Sequence, residues 1–230
     1  MDDYISEEVH PHRIQPIDSW RILRIMSEFV EGFESMTALG PSVAIFGSSK
    51  AQPKSKKYYE LAEKTCAKIA EKGYGIITGG GPGIMESANK GAQSAQGRSC
   101  GLCIDLTKER PNGFIDYKYE FNFRYFFVRK VMFVRYAMAF VVFPGGYGTL
   151  DELFEALTLI QTQKIRPFPV YLVGKDYWKG LLDWIKTTML EKHGNISQDH
   201  FDLIRLSDDP DEIVEGIEAH YRHVKSLENF

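Results

Sequence analysis

The chain has 230 residues, of which 43% are hydrophobic and 26% charged. That is enough apolar content to bury a sizeable core, which excludes disorder as the main state and favours one globular domain. Lys and Arg number 28 against 31 Asp and Glu, a formal net charge of −3, so the overall balance carries no footprint for a long nucleic acid and leaves only a local anion site open. The start, Met1-Asp2-Asp3-Tyr4, lacks the basic and apolar stretches of a signal peptide, and the longest apolar run, residues 137–143, is too short for a membrane span. Three cysteines are too few for a disulfide framework. The expectation is a soluble, cytoplasmic protein.

Residues 1–40 read as an N-terminal arm and helix. Pro11 and Pro16 precede a helical pattern over 18–36, with Asp18 as N-cap and Trp20, Leu23, Phe29 and Phe33 along one apolar face. From Pro41 short apolar runs alternate with helical patterns. A strand at 43–46 leads to a helix over 56–72 that Gly73 ends; a strand at 74–78 leads to a helix over 84–96. Strands at 99–106 and 119–123, a helix over 125–138 and a strand at 139–143 follow. A glycine loop, a helix over 149–164, a strand at 169–173 and helices near 176–192 and 210–225 complete the pattern. Strands that are continuously apolar rather than alternating belong to a parallel sheet covered on both faces. Residues 41–230 are therefore expected to form a single Rossmann-like, three-layer α/β domain.

In such a sheet ligands bind beyond the carboxyl ends of the strands. Three loops lie there: Gly47-Ser48-Ser49, Gly79-Gly80-Gly81-Pro82-Gly83 and Pro144-Gly145-Gly146-Tyr147-Gly148-Thr149. Glycines let backbone N–H groups approach an anion, and the helix that follows adds its dipole, so phosphate suits these loops; tight strand-to-helix turns are the plainer explanation. Neither G-x-G-x-x-G nor G-x-x-x-x-G-K-[ST] is present, which disfavours classical dinucleotide and P-loop triphosphate sites.

Thr149 and Glu152 fit an [ST]-x-x-[DE] capping box. Alternatively, Glu152 in the first turn of that helix sits beside a bound nucleotide's sugar, where a carboxylate stabilises oxocarbenium character or positions water. Asp151 is expected to face elsewhere. Arg124, Arg129, Lys130 and Arg135 interleave with aromatics on one helix; Arg129 could hold a phosphate or a leaving group, although on the residues alone a surface charge is the plainer reading. Cys100 and Cys103 form C-x-x-C, but on a strand they point to opposite faces, and no metal site is expected. His193 and His200 read as solvated loop residues.

Gly79-Gly-Gly-Pro-Gly-Ile-Met-Glu86, the Arg129-Lys130 pair and Pro144-Gly-Gly-Tyr-Gly-Thr-Leu-Asp-Glu152 together resemble the LOG family, the cytokinin riboside 5'-monophosphate phosphoribohydrolases often labelled lysine decarboxylases. The match covers about residues 41–190, and the ends look like those of a longer bacterial branch. The resemblance implies hydrolysis of the N-glycosidic bond of AMP or an N6-modified AMP to free base and ribose 5-phosphate. It implies Arg129 and Glu152 as the catalytic pair. Gly47, Ser48, Gly80, Gly81, Glu86, Lys130, Gly145, Gly146, Gly148 and Thr149 would bind nucleotide and phosphate. No cofactor, metal, nucleic acid or membrane is implied; a homodimer or larger homo-oligomer is, with the aromatic helix 124–136 as the contact. Phe127 stands where many members have histidine two residues before the arginine. No lysine in the phosphate loops is placed for the Schiff base a decarboxylase needs. The rival reading is a non-catalytic nucleotide or molybdenum-cofactor carrier of the same fold; retention of Arg129 and Glu152 favours the enzyme.

Overall fold

The computed structural model describes residues 17–50, 56–104 and 111–222; Pro11, Pro16 and the side chain of Asp18 lie outside the described residues. Seven strands form one sheet, β1 (Ser42–Phe46), β2 (Gly75–Thr78), β3 (Ser99–Ile104), β4 (Glu120–Phe123), β5 (Ala137–Val142), β6 (Val170–Leu172) and β7 (Ile204–Leu206), in the order β4-β3-β2-β1-β5-β6-β7. Every pairing is parallel. Helices α1 (Ile17–Met36), α2 (Lys56–Glu71), α3 (Ile84–Ser94), α4 (Phe126–Tyr136), α5 (Tyr147–Gln161), α6 (Lys175–Trp184), the short α7 (Gln198–Phe201) and α8 (Pro210–Tyr221) surround it, and Ile185–Lys192 extends α6 as a π-helical segment. The expected Rossmann-like architecture is the one observed.

Why these residues make this sheet is visible in β1 and β5, every residue of which is buried. Alternate residues serve opposite faces. Ala44, Phe46, Phe140 and Val142 enter one core with Met132, Phe133 and Leu153, whereas Val43, Ile45, Ala139 and Val141 enter the other with Ile69, Ile84 and Ile217. Both faces need helical cover, and a continuously apolar strand results.

Several boundaries differ from the sequence expectation. The strand at 139–143 begins two residues earlier, because Ala137 turns extended straight out of α4 and pairs with Ser42. The strand expected at 99–106 is described to Ile104. The edge strand β7 was not foreseen; it is three residues long and only partly buried, too short for an apolar pattern. Nor does α1 pack by the expected face. Trp20 is 71% and Leu23 53% exposed, and the inward side is Ile25, Glu28, Phe29, Gly32 and Met36. Asp18 lies within the helix rather than ahead of it.

Two features of α1 explain the inward face. It crosses α4 closely, with Met132 against Gly32. The buried Glu28 carboxylate also accepts from the backbone N–H of Arg124 at 2.5 Å and of Tyr125 at 3.4 Å. Tyr125 is the N-cap of α4 and offers no side-chain cap of its own; Glu28 instead anchors the segment entering the helix, through the N-cap amide and the one before it.

Candidate active site

The strand order reverses between β1 and β5, since β2 to β4 run away on one side and β6 and β7 on the other. Outside the carboxyl ends of two strands that part in this way there is an unavoidable crevice. A cavity of about 320 Å³ occupies it, bounded by Phe46 to Lys50 after β1, Gly79 after β2, Gly146 to Glu152 at the start of α5, and Arg129 on α4. The loops are tied to one another: Ser48 N–H donates to Pro144 O at 3.0 Å, and Ile84 N–H to Ser48 O at 3.0 Å.

Gly146 is the N-cap of α5, so Tyr147 and Gly148 begin the helix at the cavity wall. This overturns the capping-box expectation. Thr149 is the third helical residue, no side chain caps the terminus, and Glu152 lies in the second turn rather than the first. The helix starts early because the glycine run can wind into it and Thr149 folds back: its Oγ1 lies 2.0 Å from where a Cβ on Gly145 would sit, which only glycine permits. The result is an N-terminus with glycine backbone exposed at Gly146 and Gly148, a geometry suited to a phosphate group.

Glu152 is only 6% exposed. Its Oε1 lies 3.4 Å from Lys130 Nζ, and its buried Oε2 has no hydrogen-bond partner among the described residues. Burial pushes its carboxyl up to about 7, with Glu155 and Asp151 adding to the rise and Lys130 and Arg129 opposing it. A buried, half-ionised carboxyl in a cleft is the type of group that exchanges protons at neutral pH. Arg129 enters from α4; its guanidinium lies 5.0 Å from the Phe126 ring centroid and donates to Leu102 O at 3.4 Å.

The cavity thus brings together Gly47, Ser48, Arg129, Gly146, Gly148, Thr149 and Glu152 from the expected set. Gly80, Gly81, Glu86, Lys130 and Gly145 are not among its walls. Gly80 adopts φ 76° and sits against Cys103, where a Cβ would fall 2.3 Å from Sγ, so its role is to let the loop turn over the sheet. Asn112 Nδ2 holds that turn by donating to the carbonyls of Gly80 and Gly81, each at 3.0 Å, and to Asn89 Oδ1. Asn89 in turn accepts from Thr78 Oγ1 at 2.7 Å.

Sequence reasoning passed over Asn89 and Asn112, whose only signal is a polar residue in an otherwise apolar helix and a loop. It also passed over the apolar walls Met85, Phe126 and Phe133. Asp151, expected to face away, lines the cavity and pairs with Lys130 at 2.9 Å. Cys100 and Cys103 are buried free thiols, and no group of three potential metal ligands occurs among the described residues. His193 is exposed as expected, whereas His200 belongs to α7, where its Nδ1 accepts from Ser197 N–H in a capping box.

Comparison with known proteins places this geometry among relatives. The family described as "Possible lysine decarboxylase" matches residues 85–217. A probable cytokinin riboside 5'-monophosphate phosphoribohydrolase of Oryza sativa subsp. japonica is 38% identical over 99 residues, 42% of this chain and 38% of the relative. A cytokinin riboside 5'-monophosphate phosphoribohydrolase of Arabidopsis thaliana is 37% identical over 93 residues, 40% of this chain and 42% of the relative. In these alignments the chain spans less than half the length of its curated relatives. Among solved structures, the molybdenum cofactor binding protein of Rippkaea orientalis superposes with a TM-score of 0.58 at 22% identity, covering 79% of this chain and 97% of that one. At that identity the likeness is one of fold.

Proposed function

The chain belongs to the LOG family, and from that premise we propose that it hydrolyses the N-glycosidic bond of a nucleoside 5'-monophosphate, AMP or an N6-modified AMP, to free base and ribose 5-phosphate. One observation carries the reading. Glu152 presents a buried carboxyl with an uncommitted oxygen to the same cavity that the glycine-lined start of α5 opens onto.

The 5'-phosphate rests on the backbone of Gly146 and Gly148 and the hydroxyl of Thr149, at the positive end of the α5 dipole. The base lies toward Met85, Phe126 and Phe133, which offer an apolar wall. Ionised Glu152 then lies beside the ribose. As the C1'–N bond breaks, its pair of electrons leaves with the base and positive charge develops at C1', which the carboxylate stabilises. Water adds to C1' and loses a proton to Glu152; the departing base takes up a proton from solvent, and Glu152 returns its own to solvent, so that one water is consumed in all. Arg129, across the cavity on α4, orients the nucleotide and offsets negative charge on the leaving group. Gly80 and Gly81 act behind this arrangement by shaping the loop after β2.

A decarboxylase working through a lysine Schiff base needs a lysine amine that can lose its proton. Burial lowers the Lys130 pKa, but hydrogen bonds to Glu155 and Asp151 outweigh it and hold the ammonium form above its usual range. The molybdenum cofactor carriers share the fold, and the same phosphate-binding helix start would suit a pterin phosphate. Glu152 has no evident purpose there. We also propose that the protein self-associates: Phe126 and Phe127 on α4 remain 50% and 47% exposed even with α1 in place, and light scattering should give a dimer or larger.

The test is incubation of purified protein with AMP and with N6-isopentenyl-AMP, assaying free base. Release is expected, with Glu152→Gln slower by roughly 100-fold or more. No release, or a Glu152→Gln protein that turns over normally, defeats the reading; a pterin liberated from the protein as isolated would favour the carrier.

A further inference from the structure

Lys130 follows Arg129 in sequence, yet it stands apart from the cavity wall, with its side chain only 15% exposed. Its Nζ lies 2.7 Å from Glu155 Oε2, 2.9 Å from Asp151 Oδ2 and 3.4 Å from Glu152 Oε1. An ammonium has three donors; Glu155 and Asp151 take two of them, and Glu152 Oε1 stands within ion-pair distance of the same nitrogen. The surplus of negative charge around Nζ would repel a phosphate.

We propose that Lys130 is a positioning residue for Glu152 rather than a ligand of the nucleotide: its charge stands beside Oε1, away from the unpartnered Oε2, and balances three carboxylates crowded beside the cavity. The inference rests on the reading of Glu152 as the catalytic carboxylate. It accounts for an arrangement that is otherwise costly, since Glu152 is buried and neighbours two further acids. Without a cation between them, mutual repulsion would keep Glu152 protonated at neutral pH and unable to accept a proton. The other charged groups facing it are Arg129 on α4, Asp151 and Glu155 on α5, and Lys50 in the loop after β1, which shares the cavity. Lys130 alone lies within ion-pair distance of all three acids.

The decisive experiment follows the Glu152 carboxyl itself, in full-length protein labelled with ¹³C at the glutamate δ carbon, with the signal identified by its loss in Glu152→Gln. The native midpoint is expected at about 7. Lys130→Met should raise it by about 1 to 3 pH units, and Lys130→Arg should restore most of the change. Glu155→Gln, a near-isosteric change at a half-buried side chain that is available should Lys130→Met fail to fold, should lower it. AMP affinity by calorimetry should stay within about threefold in Lys130→Met.

An unmoved midpoint in Lys130→Met or in Glu155→Gln overturns the proposal, as does a loss of AMP affinity greater than about tenfold with the midpoint unchanged. In active protein the acidic limb of the kcat profile should shift with the midpoint; a limb that stays put also overturns it. The titration is read without nucleotide, so a protein that releases no base defeats the hydrolysis reading and leaves the Lys130 to Glu152 coupling separately measured.

Discussion

At Glu152 the conflict between burial and charge has a measurable consequence. In the unfolded chain this carboxyl ionises near 4.5, and in the folded protein near about 7. Between those values the folded state keeps a proton that the unfolded state has lost, so the site's contribution to stability falls as pH rises through that window and stays lost above it. A difference of about 2.5 units at about 1.4 kcal/mol each gives on the order of 3 kcal/mol. Glu152→Gln, which has no charge to desolvate and leaves Lys130 its pairs with Asp151 and Glu155, should therefore be more stable than the native protein at pH 8. The advantage should vanish below about pH 5 in urea titrations, and equal stability at both pH values would refute it. Activity should run the other way, with kcat rising through about pH 7 as the carboxylate forms. On the hydrolysis reading proposed above, stability is given up where the reaction calls for an ionised group in a buried position.

At the scale of elements, the site depends on helices that end or begin at the crevice, and each terminus is treated differently. The start of α5 has no side-chain cap, which leaves its backbone for a ligand. The segment entering α4 is anchored by Glu28 from α1, through the N–H groups of Arg124 and Tyr125. Removing this buried acceptor with Glu28→Ala should cost about 1 to 3 kcal/mol in denaturant unfolding. Amide exchange should quicken at Arg124 and Tyr125, where the chain enters α4, while α5 is unchanged; exchange that stays slow at those two amides would show that the contact is dispensable. Since Arg129 is one turn further along, base release should fall as well. The apolar stripe on α1 misleads because a helix packs by the side that lets its partner approach: Gly32 admits Met132, and Glu28 meets the backbone entering α4, neither of which reads as hydrophobic.

For the whole molecule, one sheet separates two cores, and the order of its strands creates the crevice. Ile160 of α5 belongs to one core and Ile217 of α8 to the other. Truncating each to valine should cost about 0.5 to 1.5 kcal/mol. With no shared neighbours the two losses should add to within about 0.5 kcal/mol in the double variant. Coincident unfolding curves by fluorescence and circular dichroism would mark a single cooperative unit, whereas two separated transitions would mean the faces unfold independently.

The linear pattern was sufficient for the element order and the parallel class, because a strand buried on both faces must be apolar throughout, as in β5, and no solvent-facing strand can imitate that run. It also marked Arg129, Glu152 and the glycine loops as candidates, but only the family resemblance set them above their plainer readings as a surface charge, a helix cap and strand-to-helix turns. What it could not convey is anything that depends on two distant segments meeting. The helix register that takes Thr149 out of a capping box, the turn of Gly80 over Cys103, the closing of Lys130 among three acids of α5 and the pKa of a carboxyl buried between α4 and α5 are all of this kind. Local sequence determines which backbone shapes are cheap; whether a charge is solvated, paired or stranded is decided only when the sheet brings its neighbours within a few ångströms.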